Sequence, residues 1–142
     1  MKYKVQQLSV FLENKMGELA DFTKILSQNG VSIKSIILAD SSDFGLVRSI
    51  VDNPQKAKAV LEDAGFSVRL SEVFGVKIED YIGSFNKVIE RLAQEKINIY
   101  YTYSFYEAQT GIFIFSVDDI SKAVDSLHNS GEEIVEAKYF YM

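Results

Sequence analysis

Along the chain, runs in which apolar residues suit an extended strand give way to runs in which they recur every third or fourth position. Tyr3 to Leu12 reads as a strand, and Met16 to Gln28 places Leu19, Phe22, Ile25 and Leu26 on one helical stripe that Asn29-Gly30 ends. Val31 to Ala39 and Phe44 to Val51 are β-branched and apolar, and the turn-like Asp40 to Asp43 between them makes a hairpin. Asn53 caps a second helix with Pro54 at its first position, and Ala57, Val60, Leu61 and Ala64 form its buried stripe before Gly65. A fourth strand, Phe66 to Leu70, runs with little break into Val73 to Ile78. From there the pattern predicts a helix from Ile82 to Glu95, strands at Ile97 to Tyr106 and Ile112 to Val117, a helix capped by Asp119 and ending at Gly131, and a last strand from Ile134 to Tyr141.

The second half of this list repeats the first. Gly17 aligns with Gly83, Gly45 with Gly111 and Gly65 with Gly131, all 66 positions apart, and no gap is needed. The same offset pairs Val10 with Val76, Glu13 with Glu79, Leu26 with Leu92, Ile33 with Ile99, Val51-Asp52 with Val117-Asp118, Lys56-Ala57 with Lys122-Ala123 and Leu61 with Leu127. Glycines, core leucines and cap residues held in one register mark a duplication. The expected domains are 1–70 and 71–142, each a strand-helix-strand-strand-helix-strand unit. The expected class is α+β: two ferredoxin-like βαββαβ domains in tandem, their antiparallel sheets joined side by side. About 70 residues is thin for an independent core, so the halves are expected to pack against each other and against a second chain, as a homodimer.

Composition narrows the function. The chain has 142 residues, 47% hydrophobic and 25% charged, the balance of a globular protein. A net charge of -5 argues against a nucleic-acid groove, which needs clustered Lys and Arg. With no cysteine there is no disulfide, thiolate metal site or cysteine nucleophile. No run of about 18 apolar residues suggests a membrane span, and the start lacks a signal-peptide pattern, so the expectation is a cytoplasmic protein.

The stretch with most chemistry is Asn14-Lys15-Met16-Gly17-Glu18-Leu19, where a strand pattern stops and a helix pattern starts. A glycine there allows close backbone approach, and the first amides of the following helix suit a carboxylate. It has a counterpart around Asp80, Ile82 and Gly83. The plain alternative is that Asn14 and Asp80 only cap the two helices.

These residues resemble the ACT domain, a small-molecule-sensing ferredoxin-like module of amino-acid metabolism, in two tandem copies over the whole chain. The marks are the first-loop pattern Asn-x-Pro-Gly-x-Leu, here Asn14 to Leu19, and the second-strand start Val-Asn-Ile, here Val31-Ser32-Ile33 and Ile97-Asn98-Ile99. Met16 and Ile82 stand where the family often has Pro. The resemblance implies ligand binding rather than catalysis. In the family, two domains join along their second strands, and an amino acid lies between the first loop of one and the second strand of its neighbour. Asn14, Met16 and Gly17 would then face Asn98, with Glu18 and Leu19 also among the ligand-binding residues, while Asp80, Ile82 and Gly83 would face Ser32. Asn14 and Asn98 each offer an acceptor for an ammonium and a donor for a carboxylate, whereas Ser32 is short and Asp80 would repel a carboxylate. The better site is thus expected between the leading loop and Asn98.

Other features read as structure. Tyr100, Tyr101, Tyr103, Phe105 and Tyr106 crowd one strand and suit sheet packing, a dimer interface or an aromatic ligand. Arg48 reads as a solvated sheet-face residue, and His128, without partners, as neither metal ligand nor triad member. Acylphosphatases, enzymes that share this topology, place an arginine in the first loop to bind phosphate, and Glu13 to Leu19 has none. The expectation is a tandem ACT regulator, not an enzyme, with no cofactor and no metal, sensing an amino acid and acting on a protein partner in trans. The alternative keeps the fold as a ligand-independent interaction module.

Overall fold

In a computed structural model, residues 2–40 and 44–142 are described; of the expected turn at Asp40 to Asp43, residues 41–43 lie outside them. The elements run β1 (Val5–Glu13), α1 (Glu18–Gln28), β2 (Ile33–Asp40), β3 (Phe44–Val51), α2 (Pro54–Asp63), β4 (Ser67–Glu79), α3 (Ser84–Gln94), β5 (Ile99–Glu107), β6 (Thr110–Val117), α4 (Ile120–Asn129) and β7 (Glu133–Val135). This is βαββαβ twice in tandem with antiparallel pairing, as the pattern predicts. The two short runs expected near Ser71 are one continuous 13-residue strand, β4. The last strand differs from expectation. It spans only Glu133–Val135, and the chain then turns into a 3-10 helix, Ala137–Tyr141.

By contact, the chain divides into a leading unit, Gln6–Ser71 with Phe140–Met142, and a trailing unit, Met1–Val5 with Glu72–Tyr139. In the leading unit β1 pairs β3 antiparallel, from Leu8↔Ser49 to Glu13↔Phe44, and β3 pairs β2 from Ile33↔Val51 to Asp40↔Gly45. Its core sets Leu8, Val10 and Leu12 of β1 and Val47 and Val51 of β3 against Phe22 and Leu26 of α1 and Ala57 and Leu61 of α2. The period of two in the strands meets the helical period on one sheet face. The trailing unit repeats this with β6 between β4 and β5, and β7 on the other side of β4. Phe74, Val76 and Phe115 there meet Val88, Leu92, Ala123 and Leu127.

Fine details repeat as well. The β2–β3 ladder slips between Ile33 and Ser35, and the β5–β6 ladder slips between Ile99 and Tyr101. The Asn53 side chain accepts a hydrogen bond from the Lys56 amide at 3.2 Å, and Asp119 accepts one from Lys122 at 3.1 Å. Both caps are those the sequence predicts.

Two outcomes follow from this packing. Phe22 and Phe74 are fully buried, so Phe22→Ala or Phe74→Ala costs about 3–5 kcal/mol in chemical denaturation. Gly17 has φ 92° and a Cβ built there meets nothing within 4 Å, so Gly17→Ala costs about 1–2 kcal/mol from backbone strain alone. Asn at position 17 tolerates the left-handed region and costs less than Ala in the same measurement.

Candidate functional site

Two short loops join a first strand to a first helix, and they are built alike. In the leading unit the Lys15 amide donates to the Glu13 carbonyl at 2.8 Å, and Gly17 takes the left-handed conformation as the residue before α1. In the trailing unit the Tyr81 amide donates to the Glu79 carbonyl at 3.1 Å, and Gly83, at φ 90°, precedes α3. Neither helix has a side chain hydrogen-bonded at its N-cap, whereas α2 and α4 have Asn53 and Asp119. The reading of Asn14 and Asp80 as caps is therefore corrected. The residue at each cap position is the glycine, and the left-handed turn carries Asn14 and Asp80 away from the helix axis into exposed positions.

Met16 and Ile82 project fully into solvent, Leu19 is exposed, and Glu18 is half-buried. Lys15 bridges Glu13 at 3.0 Å and Glu18 at 3.7 Å, and the hydrogen bond to Glu13, followed by its charge, raises the Lys15 ammonium pKa above the ordinary lysine value. Glu18 and Asp21 lie in the first turn of α1, while the first turn of α3 has no acidic residue. The loops thus share a backbone and differ in charge.

Ser32 and Asn98 occupy equivalent exposed positions just before the second strand of each copy. The Ser32 amide donates to the Asp52 carboxylate at 2.9 Å while the Asp52 amide donates to the Ser32 carbonyl at 3.0 Å. Asn98 and Asp118 repeat this at 3.1 and 3.2 Å. These two aspartates were visible in the sequence as the repeated Val-Asp, but only the fold shows that they latch the backbone. The latch consumes main-chain groups and leaves the Asn98 amide side chain outside it.

Within each unit the glycine loop and the second-strand start lie at opposite ends of the sheet. Glu13 is level with Phe44 and Ile33 with Val51, seven residues along β3, or about 23 Å. Glu79 with Thr110 and Ile99 with Val117 give the same spacing in the trailing unit. Each unit therefore brings its own loop residues together, and it does not bring its own Ser32 or Asn98 to them.

The residues read as structure are accounted for. Tyr103 is buried and stacks on Tyr101 at 6.5 Å between ring centroids, and Tyr100 and Tyr106 are exposed. His128 meets the Tyr3 ring edge-on at 4.9 Å. Arg48, expected to be solvated, is half-buried. Among the described residues no group of three His, Asp or Glu could hold a metal ion, and no helix is long and apolar enough to cross a membrane.

Comparison with known proteins matches residues 3–141 to the ACT domain pair. No curated protein sequence matches the chain. Among solved structures, protein BT0572 from Bacteroides thetaiotaomicron is 30% identical, with 98% of this chain and 96% of that one covered and a TM-score of 0.94. The regulatory subunit of aspartate kinase from Thermus thermophilus, in its ligand-free form, shares the fold at 17% identity, 92% and 95% coverage and a TM-score of 0.68. The corresponding subunit from Thermus flavus does so at 17% identity, 90% and 93% coverage and a TM-score of 0.65. With nearly its whole length matched, repeat by repeat, the chain belongs to the ACT domain pair, a regulatory domain family.

Proposed function

We propose that this protein is a regulator that binds an amino acid between its two domains, 1–70 and 71–142, and passes the signal in trans to a protein partner. The observation that carries this reading is the contrast among the helix starts. Two helices have side-chain caps, and the two that follow glycine loops have none. The Glu18 amide donates to the Lys15 carbonyl at 3.4 Å and the Ser84 amide to the Tyr81 carbonyl at 3.1 Å, so it is the following first-turn amides and the positive end of the helix dipole that suit a ligand carboxylate. In the preferred site the Asn14 loop receives the carboxylate and Asn98 from the other domain supplies its side-chain carbonyl to the ammonium. Met16, Gly17, Glu18 and Leu19 shape the loop side, and Lys15 offsets the charge of Glu13 and Glu18 that would oppose a carboxylate. The second site, from Asp80, Ile82 and Gly83 with Ser32, is weaker because Asp80 opposes the carboxylate and Ser32 is short. Such a binder has no catalytic residues, works in the cytoplasm and assembles as a homodimer with its sheets side by side.

The distance of about 23 Å between loop and strand start within one unit supports a site made from two domains rather than one. A second reading, a ligand-independent interaction module, draws on β2. Among the described residues this strand pairs only with β3, and it exposes Ile36, Ile37 and Leu38 in succession.

Calorimetry and thermal shift against the free amino acids separate the two. Binding of one amino acid, weakened about tenfold by Asn14→Ala and by Asn98→Ala, supports the sensor. No heat and no rise in midpoint at millimolar concentration across the panel favours the interaction module.

A further inference from the structure

Asn29-Gly30 is the one Asn-Gly step in the sequence, and it closes α1. The Gly30 amide donates to the Ser27 carbonyl at 3.2 Å and the Val31 amide to the Leu26 carbonyl at 2.9 Å, while Gly30 takes φ 70°. This is the pair of bonds with which a left-handed glycine ends a helix. The Asn29 side chain adds a third, its Nδ2 donating to the Ile25 carbonyl at 2.8 Å. Val31, next along the chain, is buried in the core of the leading unit.

The same two residues carry a covalent chemistry. A carboxamide followed by glycine can cyclise, because with no Cβ to shield it the Gly30 nitrogen can reach the Asn29 Cγ. A bond forms between that nitrogen and Cγ, the Cγ–Nδ2 bond breaks, and the proton displaced from the Gly30 nitrogen leaves with Nδ2 as ammonia. Water then opens the succinimide at either carbonyl, giving aspartate or isoaspartate. In the folded chain the Gly30 amide is held by Ser27 and Nδ2 by Ile25, so the reaction waits for the last turn of α1 to open. Helix ends open locally at far lower cost than the whole domain unfolds. Gly30 is exposed, so water reaches the step.

The trailing unit makes the same turn without the chemistry. At the offset of the repeat stand Glu95 and Lys96, with the Lys96 amide donating to Ala93 and the Ile97 amide to Leu92, both at 3.0 Å. The Glu95 carboxylate has no ammonia to lose, and the Lys96 side chain shields its own nitrogen. That copy accepts a left-handed lysine at φ 57°, with its backbone strain, where the leading copy has a relaxed glycine and a reactive neighbour.

We propose that Asn29-Gly30 is a deamidation site, gated by the last turn of α1, that ages the leading unit and spares the trailing one. The aspartate product puts a negative charge at the negative end of the α1 dipole and loses the donor to Ile25. The isoaspartate product adds a backbone carbon between residues 29 and 30, which pulls against buried Val31 and the Ser32–Asp52 latch that follows. The site lies within one unit and is independent of the amino-acid reading.

Peptide mapping by mass spectrometry tests this on the full chain, incubated in mildly alkaline buffer with and without guanidinium chloride, alongside amide hydrogen exchange. In denaturant Asn29 converts first among the asparagines. In the folded chain it converts about tenfold or more slowly, by the factor that exchange protection of the Gly30 and Val31 amides sets. The converted chain and Asn29→Asp both unfold at a lower midpoint than the parent, and Asn29→Gln keeps its amide. The proposal is overturned if Asn29 of the folded chain stays intact over the time in which its measured opening predicts conversion, or if folded and unfolded chains convert alike. It is equally overturned if other asparagines convert as fast in denaturant, or if the converted chain unfolds at the parent midpoint.

Discussion

A left-handed residue at the joint between first strand and first helix fixes the rest of each module. With φ near +90°, Gly17 and Gly83 turn the chain so that the helix starts with no side chain over its first amides. A side chain there would be strained, since L-residues pay for this region of backbone space. From this turn α1 and α3 lay their apolar stripes on their sheets. Phe22 and Leu26 in one copy, and Val88 and Leu92 in the other, reach the core from that entry. The same geometry that closes the core also presents the open end of a helix.

The second constraint sits at the far end of the sheet. Asp52 and Asp118 hold the approach to the second strand by exchanging hydrogen bonds with Ser32 and Asn98. Each ladder then slips by one position, so the strand departs with its side chains in a defined alternation. The latch uses backbone atoms of the residue it holds, which lets that residue vary between copies. Ser32 and Asn98 differ in reach and in donor capacity while their main chains are held alike. Duplication followed by divergence at such positions gives two modules with one scaffold and different side chains.

Much of this was legible in the residues because the repeat is ungapped. Capping by Asn53-Pro54 and by Asp119, and the hairpins of each copy, follow from local rules that the tertiary structure does not override. The glycine loops were legible as special, but Asn14 and Asp80 were readable as caps because Asn and Asp near a helix start usually are. Only the left-handed turn removes them from that role. The final strand is shorter than its pattern suggests, because Ala137 to Tyr141 has the apolar, aromatic content of a strand yet forms a 3-10 helix. Tyr141, whose hydroxyl accepts from the Gln6 amide at 2.9 Å, shows that this segment is bound by contacts distant in sequence.

In the proposed function the glycine loops receive a ligand carboxylate on helix-terminal amides. Amide chemical shifts followed by NMR during titration with the free amino acids test it most directly. With such a site, one amino acid moves the resonances of Gly17, Glu18 and Leu19, together with Asn98, far more than those of α2 and α4. A panel in which no amino acid shifts these amides, or in which the response centres on the capped helices instead, contradicts it.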